Sequence, residues 1–393
     1  MGKSNSLFIR YSSLHGFYWM SYSCTSSFAA VFLMDHTFSS SEVGLLLAAS
    51  ALLSVFLQPF IAGIADRSQI FTLKRTTLLL CALPIIPCLL LSFVALPKVL
   101  IAALYTFVIM LSLSMQPLLN ALGMQLLQNG VQFNYGMARA TGSMTYALLT
   151  FFLGFITVRF STSSLTSIAF LLYACMFLVL FTMPEMSSFR VNAGRSDGNL
   201  KVLKKNPDFL WLILGLSLIF ITHSTIFNYM IHILNHIGEG QEAMGQLMAF
   251  SAMIEVPAML YAGHLLKKVE CRKLLRFSMS MFLVKVILTA MAPNLLLMYG
   301  ACSLQAIGFA PYTPAIVYYV STILNKEDQI KGQALVTVGV TIGNTLGSLF
   351  SGFLIDWKGI TFALMVASVL CAIGLVFFFY GTKRKLEPVA ACI

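Results

Sequence analysis

Charge is what this chain has least of: of 393 residues only 10% are Asp, Glu, Lys or Arg, and the 14 acidic groups are outnumbered by 32 phenylalanines. With 58% hydrophobic residues, it has too little polar surface to cover a soluble globule. A polytopic membrane protein is what remains. Paired cysteines are missing as well. Cys24, Cys81, Cys88, Cys175, Cys271, Cys302, Cys371 and Cys392 stand singly, without a CxxC spacing and mostly inside apolar runs, so they read as small core residues and not as disulfides or metal ligands. Paired acids and His-rich clusters are absent too, and no polar stretch is long enough for a soluble catalytic domain, which argues against an enzyme. The amino terminus lacks a cleavage pattern, so the first helix is expected to be retained. "MGKSNS" matches the loose myristoylation pattern, but a chain with many spans needs no lipid anchor.

The formal charge of +11 would suit nucleic acid only if the basic residues shared one face of a soluble domain. They fall instead in the loops between apolar segments. At roughly 20 apolar residues per span, the chain reads as an all-α membrane protein with twelve transmembrane helices, at approximately 11–34, 42–65, 76–96, 99–123, 137–158, 164–183, 209–235, 244–266, 275–293, 295–322, 331–354 and 360–381. Polar or proline residues are expected to break the first, fourth, seventh and tenth, among them Gln116 and Pro117 in the fourth and Gln305, Gly308, Pro311 and Pro314 in the tenth. Cytoplasmic loops accumulate Lys and Arg. With both termini inside, twenty basic residues lie on the cytoplasmic side against Lys98, Arg159 and Lys358 outside, while Arg139 and Lys285 fall within spans.

The longest polar stretch, 184–209, divides the chain into 1–185, a cytoplasmic linker at 186–208, and 209–393 with a short tail. Two six-helix bundles joined by a basic cytoplasmic loop are the layout of parallel-repeat transporters, whose substrates bind near mid-membrane. Mid-membrane charge is therefore the place to look for function. Glu255 in "SAMIEVPAMLYAG" and Lys285 in "MSMFLVKVILTAM" each interrupt an apolar run where an ionised group costs several kcal/mol unless paired or hydrated. Counted from Lys267 and Arg276, both sit roughly 14–18 Å deep. They read either as a static ion pair between two helices or as groups that bind solute and exchange a proton. Arg139 and Tyr146, seven residues apart, share one helical face, suited to a solute with hydroxyls and a flat apolar side. The alternative for Arg139 is a snorkelling interfacial cation. On the seventh helix Asn228 is the favoured hydrogen-bonder, with His223 and His232 as weaker alternatives. Gln305 is placed among the solute ligands. Tyr312, Tyr318 and Tyr319 read individually as packing.

Several segments resemble the major facilitator superfamily, and within it the branch of proton-coupled lactose, nucleoside and phenylpropionate permeases. "GIADRSQIFTLKR" at 63–75 is similar to the superfamily's loop signature through Gly63, Asp66 and Arg67. "GHLLKKVECRK" at 263–273 keeps Gly263 and the cations of the corresponding loop but not the acid. The run 32–66 resembles the lactose permeases from the first helix to the second, and "FNYGMARATGSMTYAL" at 133–148 resembles their fifth helix. The resemblance gives Arg139 the role of a sugar-binding arginine, Tyr146 that of a stacking tryptophan, and Lys285 that of a cavity arginine. It departs at Asn120, which stands where those proteins have a substrate-binding glutamate, and in "SLQAIGFAPYTPA", which has neither the His nor the Glu of their proton relay. Glu255 and Asn228 look more like the nucleoside and phenylpropionate permeases.

The expectation is a symporter of the cell membrane that takes up a small polar organic solute, sugar or nucleoside, with a proton as coupling ion, no other cofactor, and lipid as its surroundings. It should work as a monomer. A permease for aromatic or other organic acids, in which Arg139 and Lys285 hold the carboxylate, is the alternative within uptake. Drug efflux fits less well, because the proline-glycine motif of antiporters is absent from "TYALLTFFLGFITV". From a different class, a non-transporting sensor or scaffold on the same fold remains.

Overall fold

The computed structural model describes residues 2–67, 72–131, 133, 135–185, 199–325 and 328–383, and leaves the side chains of 2–5, 62, 64–67, 199–201 and 330 undescribed. It is helical throughout. In chain order the elements are α1 (Gly2–Tyr22), a π-helical turn (Ser23–Ser27), α2 (Ala29–Asp35), α3 (Ser40–Arg67), α4 (Leu73–Ala82), α5 (Ile85–Phe93), α6 (Lys98–Gln128), α7 (Tyr135–Phe160) and α8 (Ser163–Phe181). Within the stretch 186–208 lies α9 (Asn199–Lys205), and it is followed by α10 (Pro207–Asn228), α11 (Met230–His236), α12 (Gln241–Lys268), α13 (Cys271–Met291), α14 (Leu295–Ser303), α15 (Phe309–Ile323) and α16 (Gln329–Gly381). Linker residues 186–198 lie outside the described residues.

Among the described residues nine helical stretches are long and apolar enough to cross a bilayer by length and composition. The first and tenth spans escape that criterion because each is interrupted or too polar. The last two are hidden inside α16, whose 53 residues would reach about 80 Å if straight, far beyond a bilayer core of about 30 Å. Gly359, at φ 84°, turns the chain back there, a backbone state that glycine adopts without steric cost. The chain therefore crosses twelve times, in two bundles of six. The contacts gather into two compact units, Met1–Asn192 with Met244–Ala249, and Ala193–Ala243 with Phe250–Ile393. Phe56, Phe93, Leu260 and Trp357 are all more than two-thirds exposed, as lipid-facing side chains are.

Breaks fall where side chains compete with the helix for its backbone. In "SYSCTSS" the hydroxyls of Ser21, Ser23 and Thr25 donate to Tyr18 O, Met20 O and Ser21 O, loosening the ladder into the π turn, and Tyr105 Oη satisfies Thr25 O at 2.9 Å. The seventh span breaks at Tyr229, whose hydroxyl donates to Ser348 O at 2.7 Å. The tenth breaks over 304–308, where backbone bonds tighten to the i→i+3 pattern. The third span breaks as well, at Pro84 between α4 and α5, which hydropathy does not signal. The expected break in the fourth is absent: α6 runs through Pro117 for 31 residues. Proline removes the donor that Leu113 O would have received, and Gln58 Nε2 from α3 supplies another at 3.3 Å.

The two units repeat one device. Where α8 ends, Lys74 donates to Phe181 O and Met183 O and Arg10 donates to Thr182 O. Where α16 ends, Arg276 donates to Phe379 O, to Thr382 O and to Thr382 Oγ1. Cations thus close the orphan carbonyls at both carboxy-terminal helix ends.

Packing of α10 on α16 depends on the spacing Gly339–Gly343–Gly347, where a Cβ at Gly343 would lie 2.3 Å from Ser217 O and one at Gly347 2.6 Å from Ile221 O. Small residues every fourth position let two backbones touch in lipid. Gly343→Ala is expected to destabilise by about 1–3 kcal/mol through overpacking. Gly263→Ala, where nothing lies within 4 Å, should be neutral or stabilising. Thermal unfolding of the two purified variants in one detergent checks the contrast.

Candidate functional site

In the first unit, α7 carries Arg139, whose side chain is exposed, and one buried face formed by Ala138, Gly142 and Tyr146. Tyr146 does not present an open ring. It is buried, its hydroxyl shares a hydrogen bond with Ser27 Oγ at 2.9 Å, and Trp19 meets it edge-on with centroids 6.3 Å apart. Trp19 is the half-buried ring on this face. It fits because Gly142 has no side chain: a Cβ there would lie 2.3 Å from Trp19 Cδ1.

Asn120 of α6 accepts from Tyr135 Oη at 3.0 Å. Beside it, Tyr11 Oη donates to Leu119 O at 3.0 Å and lies 2.9 Å from His15 Nε2. A carbonyl can only accept, so the tyrosine hydrogen is committed and His15 Nε2 must be the protonated nitrogen. That leaves Nδ1 as a bare acceptor, buried and without a partner. Gly123 makes the room, since a Cβ there would fall 2.1 Å from Tyr11 Oη. Arg139 lies within electrostatic reach of Tyr11 and His15. Sequence reasoning names Arg139, Tyr146 and Asn120 but not Tyr11, His15, Trp19 or Tyr135. The i, i+4 pair Tyr11–His15 was the available signal, and nothing in the sequence ties it to α6 or α7.

In the second unit, Glu255 on α12 and Lys285 on α13 are brought together through a third side chain. Lys285 Nζ donates to Gln305 Oε1 at 2.7 Å, and Gln305 Nε2 donates to Glu255 Oε2 at 3.3 Å. Gln305 sits in the unwound stretch between α14 and α15, which turns its amide toward both. Met281, Phe282, Leu304, Gly308 and Phe309 complete a crevice around Lys285 and Gln305 with no room for a water molecule in this conformation. His223 lies against Phe282 and Phe309, with ring centroids at 6.0 and 5.3 Å, and within electrostatic reach of Lys285.

Other expected residues are placed differently. Asn228 gives its amide hydrogens to Ser224 Oγ and Ser348 Oγ, at 2.9 and 2.7 Å, so that end of the side chain ties α10 to α16. His232 packs edge-on against Tyr229. Tyr312 and Tyr319 are buried, as packing residues are. Gly63 lies in α3 with open space around it, and the side chains of Asp66 and Arg67 lie outside the described residues. Among the described residues no three His, Cys, Asp or Glu side chains converge on a point that could hold a metal. Cys392 lies outside the described residues, and the other seven cysteines are unpaired.

The Tyr146–Ser27 bond joins α7 to the π turn, and breaking it should cost about 0.5–1.5 kcal/mol. Tyr146→Phe is expected to lower stability by that amount, and adding Ser27→Ala should cost little more. Unfolding free energies for both single variants and the double variant measure the coupling.

The structure is similar to that of the nucleoside transporter NupG, with a TM-score of 0.79 at 17% identity over 98% of this chain and all of the other, and to that of a point mutant of the same transporter, with a TM-score of 0.81 at 16% identity over 96% and 100%. A bacterial homologue of the human lysosomal transporter Spinster, inward-facing and unoccupied, matches with a TM-score of 0.71 at 14% identity, covering 98% of this chain and 99% of that one. In sequence the chain is 24% identical over 391 residues to the uncharacterized transporter YwbF of Bacillus subtilis (strain 168), covering 95% of this chain and 94% of the relative. The model of the MFS_1 like family matches residues 8–366. With nearly its whole length matched and a twelve-span fold shared with known transporters, the chain belongs to the MFS_1 like family of membrane transporters.

Proposed function

We propose that this transporter is a proton-coupled symporter that moves a small polar organic solute, a sugar or nucleoside, inward by alternating access. The observation that carries the reading is the pair of opposite charges, Glu255 and Lys285, joined through the Gln305 amide, with Lys285 in a crevice of apolar side chains. Intramembrane ionisable residues are costly and in general functional. With Glu255 ionised the pair is neutral. A proton on Glu255 leaves Lys285 uncompensated, and an uncompensated ammonium seeks oxygen atoms, which a hydroxyl-rich solute supplies. Proton and solute are then linked by electrostatics, and together they change which conformation is favoured.

Arg139, exposed and within electrostatic reach of Tyr11 and His15, is the corresponding solute contact of the first unit. The fold shared with a nucleoside transporter favours a nucleoside within the class. The distribution of Lys and Arg supports both termini in the cytoplasm of a cell membrane, and the proton is the only coupling ion the reading requires. A second reading, uptake of an aromatic acid, is favoured by one observation: Lys285 lies between Phe282 and Phe309, which in a conformation that opens the crevice would offer partners to a carboxylate and a ring.

Stabilisation of the purified protein by sugars, nucleosides or aromatic acids identifies the class, because a ligand that binds only the folded state raises its melting temperature. Stabilisation by aromatic acids alone replaces the first reading by the second. With the solute so found, Glu255→Gln in proteoliposomes is expected to abolish accumulation driven by a pH gradient while leaving downhill exchange. Accumulation at wild-type level would remove Glu255 from the mechanism.

A further inference from the structure

The sequence suggests Gln305 as a solute ligand, yet both ends of its amide are occupied. Lys285 Nζ can only donate and an ionised carboxylate can only accept. A side chain joining the two must accept at one end and donate at the other, which a carboxamide does in a single orientation. Turning the amide over would set its NH2 against the ammonium and its carbonyl against the carboxylate.

The charge on Glu255 therefore sets the orientation of Gln305, and Gln305 sets the acceptor offered to Lys285. Once Glu255 is protonated its carboxyl offers a donor as well as an acceptor. Its bond to Nε2 then falls from the charge-assisted to the neutral kind, about half as strong. The amide is no longer polarised toward Lys285, which is released to other oxygens. The backbone around Gln305 suits such a change. Residues 304–307 donate i→i+3 bonds, and Pro311 removes the helical donor for Ile307 O. Of the other titratable groups within electrostatic reach of Lys285, His223 comes from α10 and Cys302 from α14.

We propose that Gln305 is a positioning residue that carries the charge state of Glu255 to Lys285 through a one-way amide bridge, a hydrogen-bonded route that adds to the direct electrostatic pull of the carboxylate on the ammonium. This rests on the coupling role given to Glu255 above, but it is tested without any solute.

Infrared difference spectra of the full-length purified protein, recorded against pH, follow the carboxyl band of Glu255, assigned by its loss in Glu255→Gln. Lys285→Met is expected to move the midpoint of that band by about one pH unit or more, as removal of a nearby opposite charge does. In a Gln305→Met background the same substitution should move it by clearly less, because only the direct electrostatic part of the coupling is left. An undiminished shift there would overturn the bridge. If Gln305→Met does not yield folded protein, the wild type labelled with 13C-glutamine decides. One side-chain amide band should move at the Glu255 midpoint, and in Lys285→Met it should move by less and follow the displaced midpoint; a label spectrum that ignores the Glu255 transition overturns the proposal. Loss of coupling in these spectra together with unimpaired accumulation by Glu255→Gln would retain the bridge and remove Glu255 from proton coupling, so the two failures are distinguishable.

Discussion

In a bilayer no water is at hand for a stray carbonyl or ammonium, so each polar group that departs from regular helix must find its partner within the chain. That constraint organises the structure. Gln58 answers the carbonyl that Pro117 strands, Tyr105 answers the π turn, Tyr229 reaches across to Ser348, and Arg276 closes the end of α16. Each of these partners is distant in sequence. Irregular backbone survives in this chain because a second helix was positioned to repair it.

The same rule, applied to charge, produces the candidate site. Glu255 and Lys285 could not both be held so deep without compensation, and a direct ion pair is only one way to supply it. Placing a carboxamide between them satisfies both and makes the link depend on the proton count of the acid. The broken tenth span is what puts Gln305 there, so a departure from helix geometry and a departure from apolar composition meet at one point.

In the first unit, glycine does comparable work by absence. Gly123 and Gly142 each leave the space of a side chain, and Tyr11 and Trp19 fill them. The network that results holds Asn120 through Tyr135 and commits His15 to one tautomer, with Arg139 at its edge. Tyr146, which shares Arg139's helical face, is drawn inward by Ser27 because the π turn projects that hydroxyl at it.

Hydropathy and the distribution of Lys and Arg were enough to establish a twelve-span membrane protein, since bilayer thickness and the cost of buried charge act on local composition. They also marked Glu255, Lys285 and Arg139, because a charge in an apolar run is conspicuous one residue at a time. What could not be read was partnership. The continuity of α6 through Pro117 depends on a glutamine 59 positions earlier, and the fate of Tyr146, Asn228 and Gln305 depends on which hydroxyl or charge a neighbouring helix happens to bring. The Gly339–Gly343–Gly347 spacing was visible but carried no meaning until Ser217 and Ile221 stood opposite. Local sequence determined where the helices lie and which residues are costly; only tertiary packing decided who compensates them, because hydrogen bonds are made between atoms a few ångströms apart in space, without regard to their distance along the chain.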